Sequence, residues 1–321
     1  MLAACSSKHT DTAGEGALSV TRLDRVVSTY PTLDDSRRAA VLDSVLTPMT
    51  AYMQVVYNDS AARADDATVM TWAQSMPVEM FTPAVDTVFR DLTAVEGAMS
   101  DAVARMRAKG LKTPVNNYAT VVWGRPESIV LNDSVMLIAL NHYLGADHEA
   151  YEHWPEYMRE LKRPDMLVYD VVEAQLALAY PYQATGDKAT LLSHMLYDGA
   201  LAYAKTQLID NADEWRAAGF AKRHYDDLVD NEAYMWNRLV TGKMLYQTDA
   251  DLIDRLTAPA PASLPISAEA PGRAVRYTGL RIVQSYLRNN PGTTLADLLS
   301  PAFYADPATL QRAGYTPQQP K

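Results

Sequence analysis

One stretch constrains the fold of this chain more than any other: residues 118–145, where helical spacing gives way to a β pattern. Tyr118-Ala119-Thr120-Val121-Val122-Trp123 is built from β-branched and aromatic residues and stops at Gly124, a composition that suits a pleated, half-buried surface. Ser128-Ile129-Val130-Leu131 and Val135-Met136-Leu137-Ile138-Ala139-Leu140 then flank Asn132-Asp133-Ser134. Two apolar runs around three turn-forming residues read as a hairpin. The run closes at Tyr143-Leu144-Gly145. Three strands in an otherwise helical chain imply a predominantly helical α+β fold. Its small antiparallel or mixed sheet lies in mid-chain, packed by helices.

The helical pattern surrounds that stretch. Residues 32–35 supply N-cap chemistry for a helix over 36–56, with Ala40, Val41, Val45, Met49, Tyr52 and Val55 near one face. Further helices are expected over 67–75, 78–109, 155–161, 166–179, 189–208, 217–241 and 273–289, with short ones near 295–299 and 307–312. Gly110 stops the one over 78–109, and Pro291-Gly292 closes the last long one. The Pro/Ala/Ser stretch 258–270 reads as an ordered connector. No period repeats, which disfavours a solenoid. Residues 20–317 are therefore expected to form a single helix-rich domain.

Composition narrows the function classes. Hydrophobic residues make up 48% of the 321, enough for a substantial core. The net charge of -10 argues against a nucleic-acid partner, because phosphate contacts need a concentrated basic surface. A Tyr count of 19 against 4 Phe suits half-wet grooves; on its own it supports only a small-ligand reading. The single cysteine excludes a disulfide framework and a cysteine-built zinc site.

That cysteine, Cys5, ends Leu2-Ala3-Ala4-Cys5 and is followed by Ser6, Ser7 and a polar stretch to Gly16. An apolar residue, two small ones and a cysteine have the shape of a bacterial lipobox. Residues 1–4 then read as a signal-peptide remnant, short of the roughly 7–15-residue apolar region such a signal carries. Residues 5–19 read as a lipidated tether, which would hold the protein on a membrane. Ser6 after the cysteine, with no acidic run behind it, points to an outer-membrane lipoprotein facing the periplasm.

Four further side chains stand out. On the 189–208 helix, His194 and Asp198 lie off the apolar stripe and share a face one turn apart. They read as a ligand or acid/base pair, or as a surface contact; Lys205 is also off the stripe. On the next helix the stripe Tyr225, Leu228, Val229, Met235, Trp236, Leu239 is completed by Glu232. A carboxylate placed there is buried by its own helix and needs a cation, a metal or a proton. Arg273, in Pro271-Gly272-Arg273, opens a helix whose N-terminus is already positive, so a carboxylate is expected to meet it. Arg273 or Arg276 is the natural partner for Glu232. His148-Glu149-Ala150-Tyr151-Glu152-His153 resembles a zinc-protease motif only superficially. Its histidines are five apart, about 140° around a helix, and cannot share a metal.

Several segments together resemble the gliding-motility-associated lipoprotein GldB family of Bacteroidetes. They are Leu140-Asn141-His142-Tyr143-Leu144-Gly145, Leu191-Leu192 through Met195, Tyr197 and Gly199, and Asn231-Glu232-Ala233-Tyr234-Met235-Trp236. Ala270-Pro271-Gly272-Arg273 with Gly279, Ile282-Val283 and Tyr286, and Tyr315-Thr316-Pro317, complete the set. The resemblance covers roughly residues 20–317. That family is in turn similar to predicted zinc peptidases, which implies a degenerate zincin-like scaffold. Carried onto this chain, the peptidase motif falls on His194-Met195-Leu196-Tyr197-Asp198. Met195 then replaces the general-base Glu, and a thioether takes no proton from bound water. The resemblance thus implies a non-catalytic, lipid-anchored envelope protein of the gliding and secretion apparatus, with envelope proteins as partners and no cofactor. The alternative it leaves is a divergent metallopeptidase with zinc on His194, Asp198 and Glu232.

Overall fold

The computed structural model describes residues 18, 20–132 and 135–319; Cys5 and all of its expected tether except residue 18 lie outside them. The hairpin forms as expected. Strand β3 (Ile129–Asn132) pairs antiparallel with β4 (Val135–Ala139), Asn132 opposite Val135 and Ile129 opposite Ile138. Strand β2 (Asn117–Val121) runs parallel to β4 on its other side, with Asn117 opposite Val135. A fourth strand, β1 (Val20–Arg22), adds in parallel to β2, so the sheet is mixed in the order β1-β2-β4-β3. At three residues it carries too little pattern to be read from sequence.

All five residues of β4 are buried, which places the strand between two layers. Alternation along the strands sends side chains both ways. Ala119, Val121, Val135, Leu137 and Ala139 join one core with Met49, Tyr52, Val69 and Val78 of the N-terminal helices. Tyr118, Met136 and Ile138 join a second with Phe89, Met99, Val115, Leu167 and Val171. The largest core lies in the C-terminal half, around the helices Leu191–Leu208 and Ala274–Asn289. Those two are the most extensively packed pair of elements. They cross at Gly199 and Gly279: a Cβ on Gly279 would fall 1.9 Å from the Met195 carbonyl oxygen.

Three expected helices are each two, and polar or imino residues mark the breaks. Asp35–Ser44 ends at Val45 before Leu46–Tyr57, where Pro48 has no N–H to give to Ser44. Met76–Val88 and Thr93–Ala108 are separated at 89–92, where Asp91 accepts from the Thr93 backbone N–H at 2.9 Å and from its hydroxyl at 2.6 Å. Such local bonds compete with the helix ladder. Lys222–Asp230 and Glu232–Thr241 meet at Asn231, whose side chain donates to the Asp227 carbonyl at 2.8 Å.

Candidate functional site

The helix Leu167–Ala179 is the seam of the molecule: Leu167 and Val171 pack into the core beside the sheet, while Val172 and Leu176 pack into the C-terminal one. Along this largely apolar helix Asp170 and Glu173 stand three apart, on one face. They line a cavity of about 430 Å³. Its other walls are Ser128 and Ile129 at the edge strand, the 157–162 segment with Lys162, Lys205 near the end of its helix, and Phe220. Arg273 and Arg276 close it, beside Pro259 and Pro261. Both prolines are exposed, so the cavity reaches the surface.

Charge is concentrated on the floor. Oε2 of Glu173 accepts from Lys205 Nζ and, at 2.7 Å, from Arg276 Nη2. Lys205 and Arg276 are almost fully buried, at 1% and 2% exposure. Burial by itself would raise the Glu173 carboxyl; Arg276 and then Lys205 overcome that and hold it well below the usual range. Burial pulls Lys205 down, with Glu173 opposing it. Asp170 accepts from the buried Tyr143 hydroxyl at 2.9 Å. Burial pushes the Asp170 carboxyl up, against the pull of Lys205. Beside it, Lys162 Nζ donates to Ser128 Oγ at 2.7 Å and lies 3.4 Å from His142 Nδ1. Burial first, and then Lys162, press the His142 pKa down to about 3, so the ring is neutral at physiological pH.

Arg273 is set apart from these pairs. Its φ of 62° is left-handed, rare for a residue with a side chain. The turn before it is locked in place. A Cβ on Gly272 would lie 1.9 Å from the Ala260 oxygen, and Ser263 Oγ donates to the Pro271 carbonyl at 2.8 Å while accepting from the Ala274 N–H at 3.1 Å. Nη1 of Arg273 lies 3.9 Å from where a Cβ on Gly219 would stand, another residue of the cavity wall. Its Nε is buried without a hydrogen-bond partner, as is that of Arg276.

The expected pairing of Glu232 with Arg273 is not what the structure forms. Glu232 is buried, as its place in the stripe required, but its oxygens accept from Tyr277 OH at 2.5 Å, Arg281 Nε at 3.2 Å, Tyr315 OH at 3.0 Å and the Gln318 backbone N–H at 3.0 Å. Tyr277 and Arg281 are one turn apart on the Ala274–Asn289 helix. Arg276 points instead to Glu173, and Arg273 to the cavity. Glu232 thus clasps the C-terminal segment. His194 stacks on Tyr182 with ring centroids 4.1 Å apart. Burial raises the Asp198 carboxyl, opposed chiefly by Arg276 and Arg273. None of His194, Asp198 and Glu232 lines the cavity. Among the described residues no three His, Cys, Asp or Glu side chains are grouped to hold a metal ion, so these three residues do not fit the zinc site that the resemblance left open.

Sequence reasoning found Arg273 and singled out Lys205 as off its stripe, but missed Asp170, Glu173, Lys162 and His142. The signal for the first two was present: two carboxylates three apart in an apolar helix, each needing a partner. The partners of Glu173 come from segments 32 and 103 residues away along the chain and that of Asp170 from 27 residues away, and no spacing rule reaches that far.

Fold and site define a class: a helix-rich α+β protein with a four-stranded mixed sheet and a charged cavity opening beside its edge strand. The chain belongs to the family described as Gliding motility protein GldB, whose model matches residues 6–317. No curated protein and no solved structure matches it.

Proposed function

We propose that this protein is a lipid-anchored, non-catalytic component of the bacterial cell envelope, serving the gliding and secretion machinery by binding other envelope proteins. The observation that carries the reading is the family match over nearly the whole chain, 6–317. Cys5 supplies the anchor, as the sole cysteine at the end of a lipobox-like run. No helix among the described residues is long and apolar enough to cross a membrane, which is consistent with attachment through a lipid. The body sits on the periplasmic side of the outer membrane. Met195, at the position where the related peptidases carry their base, is fully buried and packs its backbone against Gly279. Neither side chain nor setting suits proton transfer, which supports a scaffold working without a resident metal.

The test is lipid labelling of cells expressing the wild-type protein and Cys5→Ser, followed by detergent phase separation. Wild type is expected in the detergent phase carrying label, and the variant unlabelled in the aqueous phase. A variant that stays labelled would overturn the anchor. Stoichiometric zinc that is lost on His194→Ala would overturn the non-catalytic part.

A further inference from the structure

We propose that the cavity beside the edge strand is a binding site for a monoanionic carboxylate with an apolar body, the carboxylate being held by the guanidinium of Arg273. The proposal is independent of whether Cys5 is lipidated.

The first ground is an unanswered charge. Of the cations lining the cavity, Lys205 and Arg276 share Glu173, and Lys162 donates to Ser128. Among the described residues the Arg273 side chain makes no hydrogen bond and no ion pair, and its Nε is buried. Withdrawing a guanidinium N–H from water without a partner costs stability, so its retention there calls for a use. The Nε of Arg276, on a side chain 2% exposed, is a second unclaimed donor on the same wall.

The second ground is construction. Arg273 sits at φ 62° behind a glycine that no other residue can replace without meeting Ala260. Local strain of this kind persists where the surroundings over-determine it, and it clusters at binding sites. Here the turn holds the guanidinium against the wall at Gly219. A guanidinium fixed in this way presents a planar fork that matches a carboxylate in two parallel hydrogen bonds.

The third ground selects the ligand. Leu161, Met166, Ala174 and Phe220 line the same space, and about 430 Å³ falls in the range of small-ligand pockets. The facing acids are Glu160, Glu173 and Asp170, with Asp198 close enough to act on Arg273. Glu160 is paired with Arg223 and Glu173 is doubly paired, so Arg273 is left as the lining guanidinium with no carboxylate hydrogen-bonded to it among the described residues. A monoanion answers that guanidinium with a single charge; a phosphate dianion would bring two against the surrounding carboxylates.

Calorimetric titration of the full chain tests this with N-acetyl-leucine and acetyl-glycyl-glycyl-leucine as free acids, their amides, and inorganic phosphate. The two acids separate a small organic acid from a peptide C-terminus as the source of the carboxylate. At least one acid is expected to bind saturably, with its amide about tenfold weaker or worse. Arg273→Gln is expected to weaken the acid by a similar factor. Should that variant fail to fold, Ala174→Leu keeps Arg273 and fills the cavity, and it is expected to abolish binding. Equal binding of acid and amide, binding of phosphate alone, no saturable binding of either acid, or binding unchanged in a folded variant would each overturn the proposal.

Discussion

Glu173 answers two buried cations at once, and that asymmetry decides what its removal does. Glu173→Gln leaves Lys205 and Arg276 without the carboxylate they both hydrogen-bond, and breaking a buried pair costs about 3–5 kcal/mol. The carboxylate is 27% exposed toward the cavity, so the lower end, about 3 kcal/mol, is expected. Lys205→Met is milder, about 1 kcal/mol or less, because Glu173 keeps Arg276 and the thioether fills the space. The Glu173 carboxyl is depressed in the folded state from an ordinary 4.5. Its contribution is therefore complete above that value and is lost as pH falls through the folded pKa. Urea denaturation should show a gap between wild type and Glu173→Gln that is constant at neutral pH and narrows below about pH 4.5. A gap that widens on acidification, or a Lys205→Met variant less stable than Glu173→Gln, would contradict this assignment. At this scale legibility was uneven. The burial of Glu232 followed from its stripe, because burial is a property of one helix. Its partner, Arg281 rather than Arg273, depends on how two helices are rotated about each other.

The crossing of Leu191–Leu208 with Ala274–Asn289 rests on two residues without side chains. Most helix pairs keep axes 8–10 Å apart to accommodate side chains; the Gly199–Gly279 contact removes them at the crossing point. Gly279→Ala would place a methyl 1.9 Å from the Met195 oxygen, and backbone cannot swing aside as a side chain end can. A loss of about 3 kcal/mol is expected. Gly97 is the control: it lies within Thr93–Ala108 with nothing within 4 Å of its Cβ position. Gly97→Ala is expected to stabilise by about 0.5–1 kcal/mol. Thermal melts of the two variants should move in opposite directions; a Gly279→Ala protein as stable as wild type would refute the close crossing. Elements themselves were read well where the pattern was local. The hairpin announced itself through its turn residues. The helix breaks at Val45, Asp91 and Asn231 did not, because apolar periodicity continues across each of them while one side-chain bond or one proline decides the backbone.

Across the whole molecule, the question is whether sheet half and helical half unfold together. The expectation from sequence was one domain over 20–317. The described residues form three hydrophobic cores, which would permit separate melting if little joined them. The seam helix Leu167–Ala179 argues for joint unfolding, since its apolar residues divide between two of those cores. Polar bonds repeat the link. Gln175 donates to the Val115 carbonyl at 2.8 Å, Tyr143 donates to Asp170, and Glu173 reaches Lys205 and Arg276 in the C-terminal bundle. Losing either half exposes an apolar face of the seam helix; losing the C-terminal half also unpairs Glu173, and losing the sheet half strips Asp170 and Gln175 of their partners, so each half-folded state bears an apolar and a polar cost. Tryptophans placed on either side make this measurable. Trp123 is fully buried in the core shared by the sheet and the N-terminal helices, and Trp236 packs edge-on against Tyr315 in the C-terminal half. Variants keeping only one of these tryptophans should give urea midpoints that coincide within a few tenths molar, on the order of the precision of such curves. A separation well beyond that, with the Trp236 signal melting apart from Trp123, would show two units joined by a weak seam. The cavity between them would then open and close with their relative motion rather than standing preformed.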